Sequence, residues 1–363
     1  MTRLCFDFDF LIFAAVSIAE ERFITATHIP TGRVMEFKTK TEVYGHWKKK
    51  EGGWIAAENL KNGNDFWKVE DFEIIEGQRP KPFKVKGVDE FGEPDESKDY
   101  FISPFEGAKN VLNTKIKSIC KKLGTTEYYG YTGKGKTFRE DIATLIPYKG
   151  NREGMMRPLL LDTMKDYVIN RHNAILAERL EADDLCCIDT LRAYNKWKES
   201  GNDKDKVILV GIDKDAKGTS GWHFNPEKDS EPRLIEGFGN LWLDNKGEVD
   251  GGGRVFLYYQ VASGDLTDNF YANVFSDKKW ASKSAYDMLK DCKTDKEAFQ
   301  ALVDTYKILY PEPKTVVLWR GDEKEIDWLY VLQQNFNLAK MLRSVDEKPT
   351  IVKDVLDKIG VNY

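Results

Sequence analysis

Residues 206–215 read Lys-Val-Ile-Leu-Val-Gly-Ile-Asp-Lys-Asp, and this stretch decides the fold class. Val207 to Val210 is an unbroken apolar run, too short for a helix and without polar alternation. Such a run is a strand covered on both faces, as in a parallel sheet packed between helices. It ends in Asp213 and Asp215, and the carboxyl ends of parallel strands are where α/β sheets build their sites. A second short strand, from Arg3, ends in Asp7 and leads into a helix over 11–19. Further along, Ser103-Pro104-Phe105-Glu106 is a capping box with proline at the first helical position. Ala108, Val111, Leu112, Ile116, Ile119 and Cys120 then keep helical spacing. A strand over 127–132 and helices over 138–146 and 159–182 follow. Alternating strands and helices predict an α/β fold with a central parallel sheet flanked by helices. After residue 264 the pattern turns mostly helical.

The 363 residues suffice for one large domain with insertions or for two domains. A hydrophobic fraction of 41% excludes wholesale disorder. The net charge of −5 argues against a generally basic surface, though a local basic groove beside an acidic site is compatible with it. No apolar run is long enough to span a bilayer, and the opening MTRLCFDFDF sets acids inside its apolar stretch, unlike a signal peptide. Five cysteines without a CxxC pair and four scattered histidines argue against zinc and for reduced, buried thiols in a cytoplasmic protein. Residues 30–103 break the pattern with Lys48-Lys49-Lys50, glycine pairs, several tryptophans and a Pro/Lys-rich span over 79–86. They read as an accessory lobe, starting with a β-hairpin around Pro30-Thr31-Gly32. The core would be 1–29 and 104–262, with a helical region over 263–363.

Four acidic groups stand where elements end: Asp7; Glu181, Asp183 and Asp184; Asp213 and Asp215; Asp265 and Asp268. Any one Asp pair is ordinarily a solvated face or a helix cap. Together they are costly to bury unless cations share the site. Hard oxygen ligands suit Mg²⁺ or Mn²⁺, and two ions about 4 Å apart activate a water and stabilise the leaving oxygen of a phosphodiester. A competing reading comes from Gly130-Tyr131-Thr132-Gly133-Lys134-Gly135-Lys136-Thr137, which satisfies the phosphate-loop pattern of a P-loop NTPase. That reading leaves Glu181–Asp184 and Asp265/Asp268 without a role, and Pro147 shortens the following helix. A catalytically inactive DNA-binding protein is disfavoured because an empty acidic pocket repels phosphate.

The chain carries, in order, Asp7, Gly133-Lys134-Gly135-Lys136-Thr137-Phe138-Arg139, Tyr148-Lys149-Gly150-Asn151-Arg152, Glu181-Ala182-Asp183-Asp184, Asp213-Lys214-Asp215 and Gly264-Asp265-Leu266-Thr267-Asp268-Asn269. This series resembles the 5′-nucleases: phage 5′–3′ exonucleases, flap endonucleases and the 5′-nuclease domain of bacterial DNA polymerase I. The phage branch is nearest through Tyr-Lys-Gly-Asn-Arg. The resemblance spans residues 1–20 and 107–295, and neither 30–103 nor most of the chain after 300. It implies a PIN-like (resolvase-like) fold, a helical arch over the site, and a helix–hairpin–helix element gripping duplex backbone. That element would place Lys278, Lys279, Lys283 and Ser284 on phosphates. Its usual glycines are replaced, which argues against a K⁺ site there. The implied activity is a monomeric 5′→3′ exonuclease or flap endonuclease, acting on DNA ends, nicks or flaps and on RNA–DNA hybrids, in the host cytoplasm if phage-encoded. All eight carboxylates named above would be metal ligands, Lys149 and Arg152 catalytic cations on the scissile phosphate, and Tyr148 a stacking face for a terminal base. Relatives carry an Asp where this chain has Thr132. Asp9, read as lying on the strand with Asp7, would point to the opposite face.

Overall fold

The computed structural model describes residues 2–45, 52–62 and 67–363, so the Lys48-Lys49-Lys50 cluster lies outside the described residues. The chain forms two compact units, one of residues 1–11, 115–156 and 165–363, the other of 12–114 and 157–164.

The first unit is built on a six-stranded sheet: β1 (Arg3–Asp7), β2 (Tyr128–Gly133), β3 (Ala174–Ala177), β4 (Val207–Val210), β5 (Gly221–Phe224) and β6 (Arg233–Ile235), in the order β6-β5-β4-β1-β2-β3. All neighbours are parallel except β6, which runs antiparallel to β5. The central strands are buried on both faces, as the unbroken apolar runs require: Leu4, Cys5, Phe6 and all of β4 are inside. Phe6 lies in register with Gly130 on one side and Val210 on the other. A Cβ at Gly130 would sit 2.1 Å from the Phe6 carbonyl oxygen, so this glycine is required for strand packing, whatever it contributes to a phosphate-loop pattern.

The expected helix over 159–182 is broken. It runs only over Leu161–Arg171, Asn173 takes φ +55°, and β3 follows as the sheet edge. Ala-Ile-Leu-Ala has no local preference for a strand; pairing with β2 supplies it. The next helix, Ala182–Ser200, packs on β1, β2 and β4 and ends at Gly201 in the left-handed region. Between the helices Phe138–Ile142 and Leu161–Arg171 the chain makes one 3-10 turn, Gly150–Arg152, and no α-helical arch.

Residues 263–363 are not a separate region. Helices Arg254–Ser263, Asp295–Leu309, Trp328–Ala339 and Val352–Ile359 share one core, including Phe256, Tyr306, Leu332, Phe336 and Leu356, and Leu145 joins it. Helix Ser282–Leu289 follows the connection over 264–281 and is joined to helix Asp295–Leu309 by residues 290–294.

The second unit begins at residue 12, not 30. Its sheet pairs Glu20–His28 antiparallel with Arg33–Phe37 and with Phe72–Pro80, and the hairpin at Pro30-Thr31-Gly32 forms as predicted. Two of the tryptophans noted in the sequence pack against its core: Trp54 and Trp67 have ring centroids 4.9 Å apart and both pack on Phe72. Arg33 lies over both rings and pairs with Glu58 at 3.0 Å.

Candidate active site

Parallel pairing of β1 with β4 brings Asp7 beside the loop carrying Asp213 and Asp215. Helix Ala182–Ser200 starts at the same end of the sheet. Its positive N-terminus favours the carboxylates of Glu181 and Asp183. A fourth segment arrives through two loops tied together by hydrogen bonds. The Lys149 amide donates to the Asp268 carbonyl at 3.0 Å, Asn269 Nδ2 to the Pro147 carbonyl at 2.8 Å, and Asn151 Nδ2 to the Leu266 carbonyl at 2.6 Å. Lys149 is left-handed at φ +54°, which aims its side chain back toward the acids. Its ammonium donates to Glu181 and lies 3.6 Å from Asp268, and Arg152 reaches Asp268 at 3.2 Å.

The electrostatics identify which carboxylates share a space. Burial, then Asp9 and Asp213, push the Asp7 carboxyl up to about 8, and Asp7 and Asp183 share a hydrogen bond. Burial, then Asp7, Asp213 and Glu181, hold Asp183 well above the usual carboxylate range. Burial, then Asp213, Asp268 and Asp265, do the same to Asp215. Asp268 is raised by burial against the pull of Lys149. Glu181 goes the other way: despite its burial, Arg139 and Lys149 keep it below its ordinary value. Against its burial, Glu181 and Asp268 keep the Lys149 ammonium above its usual range. Of the eight acids expected at metals, Asp7, Glu181 and Asp213 act on Asp183, and Asp213, Asp268 and Asp265 act on Asp215.

Asp184 and Asp265 are placed otherwise. Asp184 is wholly buried and held bidentately by Arg139, at 2.5 and 2.8 Å, while the Leu342 amide donates to it as well. It is a structural anion spent on a buried cation. Asp265 accepts from the Thr267 and Asp268 amides and pairs with Lys214 at 2.8 Å. Despite burial, Lys214 keeps it below the usual range, and its bonds shape the loop that carries Asp268. Tyr148 is buried and donates its hydroxyl to Asp268 at 2.6 Å, so its ring offers no open face to a base. Lys279, Lys283 and Ser284 are exposed, while exposed Lys278 donates to the Ile308 carbonyl at 2.6 Å.

Two residues beside these acids were not assigned a place by the sequence reading. Asp9 is not on the strand: β1 stops at Asp7 and Asp9 sits in the first turn of helix Phe8–Ser17. There it accepts from the Thr132 hydroxyl at 2.6 Å and the Gly133 amide at 3.0 Å, and pairs with Lys165 at 3.3 Å. It puts a carboxylate next to Thr132, and occupies the Gly133 amide that a phosphate loop would need. Arg139 is the second. Fully buried, it also donates to Glu181 at 3.0 Å and to the Leu338 and Lys340 carbonyls. Its place in Gly-Lys-Gly-Lys-Thr-Phe-Arg was visible, but nothing local announces a buried guanidinium.

The donor set is all oxygen, which suits a hard divalent ion. Among the described residues no three Asp, Glu, His or Cys side chains already converge to hold one. The acids are instead turned to protons, to each other and to Lys149. Cys5, Cys120, Cys186 and Cys187 are buried thiols and Cys292 is partly buried. Among the described residues no helix is long and apolar enough to cross a membrane.

No protein-family model and no curated protein matches the chain. Solved structures do. A bacteriophage T5 protein co-crystallised with metal ions is 17% identical with a TM-score of 0.39, the match covering 69% of this chain and 89% of that one. A bacteriophage T5 flap endonuclease variant, in a pseudo-enzyme-product complex with DNA and metal ions, is 16% identical with a TM-score of 0.38, covering 69% and 87%.

Proposed function

We propose that this chain is a divalent-metal-dependent nuclease that hydrolyses DNA phosphodiesters from 5′ ends or flaps, and the RNA strand of hybrids by the same chemistry. One observation carries the reading. Carboxylates crowd at the strand ends, Asp7 beside Asp213, Asp183 beside Asp7, Asp213 and Glu181, and Asp215 beside Asp213 and Asp268, with Lys149 and Arg152 paired to Asp268, Arg139 to Glu181 and Lys214 to Asp265. Buried like charges are expensive, and a polyvalent cation with a phosphodiester is the partner that offsets the cost. Asp7, Asp183 and Asp213, with Glu181, Asp215 and Asp268, would hold Mg²⁺ or Mn²⁺ after side-chain rotation. Two such ions would supply an activated water and a stabilised leaving oxygen. Arg139 keeps Glu181 ionised and in place. End-labelled duplex, nicked and flap DNA, each incubated with Mg²⁺, Mn²⁺ or EDTA, test the reading directly; no metal-dependent product from any of them refutes it.

Lys149 would bind the scissile phosphate and stabilise charge that peaks in the transition state. Such a preorganised group is worth about 3 kcal/mol, or roughly a hundredfold in rate. Lys149→Met is therefore expected to slow single-turnover cleavage by that order while DNA affinity changes only a few-fold. Lys136→Met, at an exposed position, is expected to leave the rate within a few-fold. The reverse pattern would support ATP chemistry instead.

DNA grip would come from the exposed lysines before and within helix Ser282–Leu289. Reversing the charge of Lys278, Lys279 and Lys283 together is expected to weaken duplex binding and flatten its salt dependence by about one unit of slope per lost phosphate contact. An unchanged slope would place the duplex elsewhere.

A further inference from the structure

Beside the carboxylates lies a cavity of about 190 Å³ that the proposed chemistry leaves unused. Asp213 forms one wall. The far wall is the hairpin Asn240–Leu243/Val249–Gly252, and the floor is the carboxyl ends of β4 and β5. Its lining of Leu209, Gly211, Asp213, Phe224 and Asn225 sets it at the carboxyl ends of β4 and β5, where α/β sheets take their ligands. Leu209, Phe224, Ile235 and Trp242 give it mainly apolar walls. A cavity of about 150 Å³ accepts a benzene ring, so this one has room for a single heterocycle.

Its charges refine the choice. Lys217 and Arg233 are outnumbered by Asp213, Asp229 and Glu236 in the wall. Both cations are already spent, Lys217 on Asp250 and Arg233 on Asp229. A phosphate would meet a net negative wall, whereas an uncharged ring with polar edges would not. A donor for such an edge is present: the Asn225 Oδ1 accepts from the Glu227 amide at 2.9 Å, while among the described residues its Nδ2 has only a 3.5 Å contact to the Ile212 carbonyl.

We propose that this cavity receives one nucleobase, that of a nucleotide adjoining the phosphodiester held at Asp213, with Trp242 as its apolar wall and Asn225 as donor to its edge. The proposal deepens the nuclease reading and rests on it for the source of the base.

Two measurements test it. In EDTA, deoxyadenosine and thymidine are titrated against the whole protein and followed by saturation-transfer NMR. Binding in the millimolar range is expected, lost in Trp242→Leu and weakened at least threefold in Asn225→Ala. Failure of both nucleosides to bind the wild type overturns the proposal, as does unchanged binding in both variants. With Mg²⁺, a flap substrate abasic on either side of the scissile phosphate is compared with the intact one. The wild type should lose about tenfold in kcat/KM on one of the abasic substrates, and Asn225→Ala should lose less than the wild type does. Equal cleavage of abasic and intact DNA overturns the proposal while leaving the nuclease reading standing. Nucleoside binding lost in Trp242→Leu, without cleavage of any DNA, keeps the pocket and removes the nuclease reading.

Discussion

Asp183→Asn is expected to reduce metal-dependent cleavage on the order of a thousandfold, equivalent to about 4 kcal/mol of barrier, and at the same time to make the metal-free protein more stable. The two effects share one cause. Burial and the fields of Asp7, Asp213 and Glu181 raise the Asp183 carboxyl far above its ordinary range, so in the absence of cation this group opposes the fold. The neutral amide removes the repulsion and with it a ligand. Asp7 gives the pH dependence its sign. Folding raises its carboxyl to about 8, so its stabilising contribution is complete below the ordinary carboxylate range and lost as pH rises through 8. The metal-free wild type should therefore melt lower at pH 8 than at pH 5 from this group. Mg²⁺ at a hundred times its dissociation constant should add about 2.7 kcal/mol, or roughly 3–4 °C, and most strongly at pH 8. Thermal melts of both proteins with and without Mg²⁺ read all of this. A wild type indifferent to Mg²⁺, or an Asp183→Asn variant with full activity, would remove Asp183 from the site.

Arg139→Met should be the most destabilising single change near the site, by about 3–5 kcal/mol, because it strands a buried anion. Asp184 is wholly inside and Arg139 is its only cationic partner among the described residues. The Leu338 and Lys340 carbonyls would lose their donors as well. Arg139→Met with Asp184→Leu should recover most of the loss, since a buried ion pair is worth little more than an apolar replacement of similar volume. Denaturant unfolding of the two single variants and the double variant measures the coupling. Additive losses would show that the pair is not the lock described. Cleavage should still suffer in the double variant, because Glu181 loses the guanidinium that holds it ionised.

The same lock explains a part of the chain that the sequence left without a purpose. Gln334 accepts from the Thr144 and Leu145 amides, Trp319 donates to the Ala143 carbonyl, and Arg320 donates to the Glu140 carbonyl. Residues from the C-terminal third thus satisfy the backbone of 140–145, the segment that leads into Lys149. Each is an ordinary polar residue whose partner lies nearly two hundred positions away, and no local pattern encodes such a pairing.

The sequence by itself determined three strands of the sheet, β1, β2 and β4, and the end of it where acids gather. A run such as Val207–Val210 has no soluble use except as a buried strand, and carboxylates at strand ends are chemically conspicuous wherever they fall. It also determined the hairpin around Gly32, through local turn chemistry. Only the tertiary structure decided which acids face which space. Asp183 and Asp184 are neighbours on one helix, about 100° apart around its axis, so one reaches Asp7 and the other Arg139. Asp9 changes sides because β1 ends two residues earlier and a helix begins. β3 is a strand only because β2 offers it a ladder. In each case the deciding partner is distant in the chain, and a side chain's direction is set by what it packs against, which spacing along the sequence does not record.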